Sequence, residues 1–215
     1  MTQKLPLFPL NTVLFPGMPI TLHIFEERYR LMIGRCLEQK TPFGVVLIRE
    51  GTETSADAIP HFVGTTAQIS DGVRLEDGRY YLVAIGQRRF RIQYVMQRQP
   101  YNIGSVSYLP EESSATAVES ANQLRSFYSH YWSALAAATG HRQQPETPPE
   151  DVIELTYWMA HRLKVDNRHK QRWLEADVAT RIREMSAALR SELSLLPDSA
   201  PNERERDWKG SGSWN

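Results

Sequence analysis

Residues Leu5 to Leu37 read LPLFPLNTVLFPGMPITLHIFEERYRLMIGRCL, and the rest of the chain is organised around this stretch. Pro6, Pro9, Pro16 and Pro19 interrupt a strongly apolar run. Proline has no backbone donor, so the run is neither one helix nor one long central strand. Short extended pieces joined by turns are expected. Pro16-Gly17 supplies one turn, because proline presets φ and glycine accepts the positive φ that follows. From Ile20 to Phe25 the chain alternates. Ile20, Leu22 and Ile24 face one way and Thr21, His23 and Phe25 the other, as in a half-buried strand. A helix starts near Glu26, with Tyr29, Met32, Ile33, Cys36 and Leu37 on one apolar stripe. Glu26 and Glu27 fall in its first turn, where the helix dipole favours carboxylates. Glu26 also stands four residues before Arg30, a spacing that suits an ion pair of ~0.3 kcal/mol.

The 215 residues carry 25 Lys and Arg against 25 Asp and Glu, a formal net charge of zero, and 41% are hydrophobic. That is an ordinary soluble composition, long enough for one large core or two small ones. Zero net charge gives no long-range pull toward nucleic acid or an anionic membrane. No apolar run approaches the ~18 residues of a membrane span. The N-terminus lacks a signal-peptide layout, so the expected address is the cytoplasm. The single Cys36 excludes an internal disulfide and reads as a small core hydrophobe.

Downstream, Phe43 to Ile48 is a continuous apolar run, the mark of a strand buried on both faces. Gly51 to Pro60 reads as a surface loop and Phe62 to Ile69 as a further strand. Asp77-Gly78 predicts a hairpin with a type I′ turn. One strand is expected over Arg79 to Ile85, ending at a bulge or bend at Gly86. Another follows over Arg88 to Val95, with Phe90, Ile92 and Tyr94 opposite Arg89, Arg91 and Gln93. Tyr101 to Leu109 is the last. Six to eight short strands at this turn spacing suggest a sheet closing on itself.

After Pro110 the pattern becomes helical. Glu111 to Ser114 reads as a polar link. Val118, Ala121, Leu124, Tyr128, Tyr131, Leu135 and Ala138 form one stripe, stopped by Gly140. Thr147, Pro148 and Glu150 predict a capping box for a second helix carrying Val152, Leu155, Met159 and Leu163. Asp166-Asn167 breaks it, and Arg168 to Leu174 is a turn or two. A last helix over Glu175 to Leu196 places Val178, Ile182, Met185, Leu189, Leu193 and Leu196 on one face. The expected divisions are a β-rich unit at 1–110, a helical unit at 111–196 and a disordered tail at 197–215 holding Trp208 and Trp214.

Catalytic signatures are missing from the sequence. There is no Gly-Lys dipeptide and hence no P-loop, no Gly-x-Ser-x-Gly and no His-Glu-x-x-His. The histidines are His23, His61, His130, His141, His161 and His169. His161 and His169 flank Asp166 without a metal-ligand spacing, so no metal and no cofactor are expected. His23, beside the first helix, is the one to examine for a pocket. Glu26 and Glu27 point about 100° apart on a helix, a poor arrangement for paired acid–base work. Arg88, Arg89, Arg91 and Arg98 with Phe90 and Tyr94 could mimic a nucleic-acid strip. But alternation puts Arg89 and Arg91 on one face and the aromatics on the other, so a solvated strand face is expected.

PLFPLNTVLFPGMPITLHIFEERYR (residues 6–30) resembles the start of the Lon substrate-binding domain, the N-terminal domain of Lon proteases, which also occurs as a stand-alone protein. The similarity continues in order through FGVVLIREG (43–51), VGTTAQISDGVRLEDGRYYLVAIGQRRFRI (63–92) and YNIGSVSYLPEE (101–112). It extends over PPEDVIELTYWMAHRL (148–163) and WLEADVATRIREMSAALRSEL (173–193). The resemblance implies an α+β fold: a PUA-like pseudo-β-barrel with one inserted helix, followed by a C-terminal helical bundle. It implies a non-catalytic protein- or peptide-binding module without the ATPase and peptidase of Lon, and it offers no catalytic or binding residues to transfer. The partner expected is unfolded or extended polypeptide, captured in a groove between barrel and helices. The alternative is a nucleic-acid or nucleotide-binding PUA-like domain, which zero net charge disfavours.

Overall fold

A computed structural model of the chain describes residues 2–53, 55, 58–139 and 146–195. The expected helix stop at Gly140, His141, Leu196 and the 197–215 tail with its two tryptophans lie outside the described residues. The strands are β1 (Gln3–Leu10), β2 (Pro19–Ile24), β3 (Phe43–Glu50), β4 (Ile59–Pro60), β5 (Val63–Arg74), β6 (Tyr80–Gln97) and β7 (Ile103–Tyr108). Helix α1 (Glu27–Gln39) lies between β2 and β3. Then come α2 (Ala115–Thr139), α3 (Val152–Arg162), α4 (Asn167–Glu175) and α5 (Val178–Leu195).

Strand pairing runs β1–β7–β6–β5–β3 and returns from β3 to β1, while β2 adds to β6. All of these pairs are antiparallel except β1–β3. β1 tolerates Pro6 and Pro9 because it changes partner midway. Gln3 to Pro6 pair with β7, and Leu7 to Leu10 pair with β3. Each proline therefore sits where one side of the strand is paired, and its missing donor costs no ladder bond on the other.

Three apolar clusters fill the molecule. Leu5, Leu7, Val46, Phe90, Ile92 and Val106 meet within the strand circuit. Tyr29, Met32, Ile33 and Cys36 of α1 pack on Phe8, Leu22, Ile24 and Leu82. The helices bury Leu124, Leu155, Met159, Trp173, Ile182 and Met185 in one cluster, which also takes in Val13, Phe15, Leu47 and Val63 from the strand side.

Local expectations fail where capping and bulges intervene. Glu26 is the residue before α1, not within it, so it pairs with Arg28 at 2.8 Å instead of Arg30. Leu37 is exposed near the helix end, where Lys40 turns left-handed at φ 54°. The hairpin turn is closed by Gly78 N–H to Leu75 O at 2.9 Å, with Gly78 at φ 82°. Asp77 keeps a negative φ, so the turn is a type I turn with a following left-handed glycine, not type I′. The bulge expected at Gly86 is present, as a register shift against β5 between Gly86 and Arg89, but β6 continues through it as one strand. Gly86 is held against Phe15, and a Cβ there would lie 2.3 Å from the Phe15 carbonyl oxygen. A register shift between Ile92 and Tyr94 inserts one extra residue, and Tyr94 turns outward instead of joining Phe90 and Ile92.

On α2 the buried stripe is Ala117, Ala121, Leu124 and Tyr128, and Val118 is exposed. α3 is capped by Asp151, which accepts from Ile153 and Glu154 N–H at 2.9 Å each, so Thr147 is not its cap. Asp166 caps α4 and does not merely break a helix. α5 begins at Val178, three residues later than Glu175.

Candidate functional site

Pro16 and Gly17 form the expected turn: Met18 N–H donates to Phe15 O at 3.1 Å and Gly17 sits at φ 76°, as in a type II turn. Gly17 N–H donates to Gly86 O at 2.8 Å, which pins the turn to β6. Its tip faces the start of α3. Between them is a cleft of about 400 Å³ lined by Pro16, Met18, Leu109, Ile153 and Tyr157, with Arg88, Arg89, Glu111 and Glu154 among its polar walls. Apolar side chains thus come from a turn, a strand end and a helix.

Beneath the cleft lies a polar hub that the sequence did not announce. Glu111 Oε1 accepts from Arg89 Nε and from the Tyr157 hydroxyl, and Oε2 accepts from Arg181 Nη2 at 3.0 Å. Arg89 is 5% exposed and Arg181 0%. Arg89 Nη1 also donates to Leu174 O at 2.6 Å and Ala176 O at 2.8 Å, the carbonyls at the end of α4. A cation there meets the negative end of the helix dipole and orphan acceptors. The Arg181 guanidinium lies 4.0 Å from the centre of the Tyr157 ring. Burial pushes the Tyr157 hydroxyl far above its ordinary pKa, so it stays a donor. Gln171 Nε2 adds a bond to Val63 O at 3.0 Å. One carboxylate therefore ties β6, α3 and α5 together.

The solvated arginine face expected on β6 is corrected here. The helices cover that face, so Arg89 is internal, and Arg88 lies 4.1 Å over the Tyr108 ring. Arg91 remains exposed. The basic residues do not form one strip with the aromatics.

His23 stands on the exposed face of β2 and stacks on Tyr81 at 4.3 Å between ring centres. Beside it runs a second groove of about 270 Å³, bounded by β2, Phe8, Leu10, Tyr29, Glu26 and Glu53. His169 Nδ1 lies 2.8 Å from Asp166 Oδ1 within one helix cap. His161 is held below its ordinary pKa by burial, then by Lys170 and Arg162. Among the described residues no group of three or more His, Cys, Asp or Glu is placed to hold a metal ion. Cys36 is buried, and burial raises its thiol pKa. No helix of the described residues is long and apolar enough to cross a membrane. Sequence reading missed Glu111 because its partners lie 22, 46 and 70 positions away.

By fold this is a mixed domain, a largely antiparallel sheet joined to packed helices, with one groove at the start of the Pro16–Ile24 segment and another along its end. The family described as the ATP-dependent protease La (LON) substrate-binding domain matches residues 4–191, and the chain belongs to it. It is 27% identical to Lon protease 2 of Herpetosiphon aurantiacus over 205 residues, 91% of this chain and 24% of that protein. It is 33% identical to the Lon protease of Flavobacterium johnsoniae over 112 residues, 51% of this chain and 14% of that protein. The chain thus spans a minor part of these relatives. Among solved structures it is similar to a Lon N-terminal domain protein from Xanthomonas campestris, with TM-score 0.61 and 25% identity, covering 91% of this chain and 99% of that one. The N-terminal domain of Mycobacterium avium complex Lon protease shares the fold at TM-score 0.63 and 17% identity, covering 89% and 98%.

Proposed function

We propose that this chain is a non-catalytic module that captures unfolded or extended polypeptide. The observation that carries the reading is the cleft between sheet and helices, whose walls present Pro16, Met18, Leu109 and Ile153 at its surface. Concave apolar walls with a few fixed polar groups suit a peptide side chain. The family's description as a substrate-binding domain supports it. In this reading the strand circuit is a PUA-like pseudo-barrel over residues 1–110 with α1 inserted. The described helices between residues 111 and 195 form a helical bundle, and the module works in the cytoplasm without cofactor or metal.

The test is fluorescence anisotropy of a labelled, permanently unfolded protein titrated with the full chain. Saturable binding that survives about 0.3 M salt is expected, because apolar contact outlasts charge screening. Met18→Asp and Ile153→Asp should each weaken it about tenfold. Absence of saturable binding overturns the reading. Binding to RNA that collapses with salt would instead favour the nucleic-acid alternative.

A further inference from the structure

Strand β2 has one paired edge and one open edge. β6 takes the first, from Pro19↔Ile85 to Ile24↔Tyr80. Among the described residues no strand pairs with the second. Gly86 N–H donates to Met18 O at 2.9 Å, which sets the phase of the ladder. Bonded residues alternate in an antiparallel pair. Ile20, Leu22 and Ile24 therefore exchange bonds with β6, and Thr21 and His23 present N–H and C=O outward. Such an edge is a template for another extended chain, and proteins usually blunt it with lysine, proline or a bulge. β2 has an unbroken register and no Lys or Arg, and its one proline stands at the first position.

The surroundings select an occupant. The groove beside the edge has an apolar far wall of Phe8, Leu10 and Tyr29. Glu26 and Glu53 line it, and among the described residues no Lys or Arg does. Arg28 holds Glu26 at 2.8 Å and donates to the Glu53 backbone carbonyl at 3.0 Å, whereas the Glu53 carboxylate accepts the Asn11 N–H at 2.6 Å and has no salt bridge among the described residues. On the outer face, His23, Tyr81 and Val73 form one row across β2, β6 and β5. Phe25 follows His23 at 5.7 Å; it is 55% exposed and Tyr81 46%. A largely aromatic and apolar row of this kind outside a core marks a contact surface.

We propose that the open edge of β2 takes an extended polypeptide as an added strand, with alternate apolar side chains and a basic residue that meets Glu53. This rests on the reading of the chain as a polypeptide-binding module and supplies its mode: main-chain bonds give affinity without demanding one sequence. The cleft at Met18 is a separate surface.

The probe is a labelled peptide of about ten residues, strand length, alternating Val or Tyr with Thr or Lys. Two further versions carry N-methyl groups on one or the other alternate set of residues. The protein is the full chain. One N-methylated version should lose at least about tenfold in affinity and the other little, because a single edge of the peptide is bonded. Replacing its Lys by Glu should also weaken binding. Thr21→Pro deletes an outward donor and leaves every β6 bond in place, and should reproduce the tenfold loss. The peptide variants give the answer without altering the protein, whatever Thr21→Pro does to folding. Equal binding of both methylated peptides overturns the added strand. So does a concentration-dependent dimer, disrupted by Thr21→Pro, with no peptide bound: the edge then belongs to a second copy. If the unfolded protein still binds through the cleft in those cases, the module reading stands and the β2 proposal alone falls. If neither ligand binds, both fall.

Discussion

Arg89 and Phe90 are neighbours on β6, and they enter opposite kinds of interior. Phe90 points into the strand circuit among Leu5, Leu7, Val46, Ile92 and Val106. Its ring lies so close to Gly44 and Gly64 that a Cβ at either would stand 2.7 and 2.9 Å from it. Arg89 points the other way, under the helices, and meets Glu111 and the carbonyls ending α4. The first interior is held by volume, the second by charge accounting. Filling a shape tolerates other apolar side chains of the right size, whereas a buried ion pair is useful while every member is present and costly when one is lost.

Two substitutions separate these modes. Phe90→Ala should cost about 4 kcal/mol, because strand backbones on both sides limit collapse of the cavity. Urea unfolding measures it, and a loss under ~1.5 kcal/mol would mean that the circuit can close over the gap. Glu111→Gln should come next at about 3 kcal/mol. It leaves Arg89 and Arg181 charged and buried without a counter-ion. If instead it proves neutral, the hub sets how sheet and helices dock without stabilising them.

The same contrast explains what could be read in advance. Ile20, Leu22 and Ile24, the α1 stripe and the Pro16-Gly17 turn were legible, because each depends on neighbours within a turn or a period of two. Tyr94 was misplaced because a bulge depends on the partner strand: Gln93 has no counterpart between Val106 and Ser105. Thr147 fits a capping box by spacing, yet Asp151 takes both helix donors four residues later. Arg89 alternates toward what looks like water, and nothing local says that helices cover it. Glu111 reads as a linker residue. The cleft is illegible for the same reason, since Met18, Leu109 and Ile153 converge from far apart in the chain.

A finer probe of the hub is Tyr157→Phe. The ring and its contact with the Arg181 guanidinium remain, and one donor to Glu111 is removed. About 1 kcal/mol should be lost, because Glu111 keeps two charged donors. A double cycle with Glu111→Gln should then show coupling, since the hydroxyl's contribution depends on the carboxylate it serves. Additive losses would place the Tyr157 effect in packing.

The smallest effect is expected away from both interiors, at the start of α5. Asp177 accepts the Thr180 N–H at 2.7 Å, and that backbone bond, ahead of the Thr180 hydroxyl and Arg183, holds its carboxyl below the ordinary 3.8. A folded-state pKa below the unfolded one means stabilisation that is present above the unfolded value and lost as pH falls through the folded one. The side chain is exposed, so solvent screening keeps the contribution below that of Tyr157. Asp177→Asn keeps a capping oxygen and removes the titration. Stability near neutral pH should barely change. Below pH 3.8 the variant should lose stability less steeply than the parent chain, by up to one proton's worth of slope. Parallel acid limbs would mean that Asp177 titrates alike in both states, and that acid weakens the chain through other carboxylates.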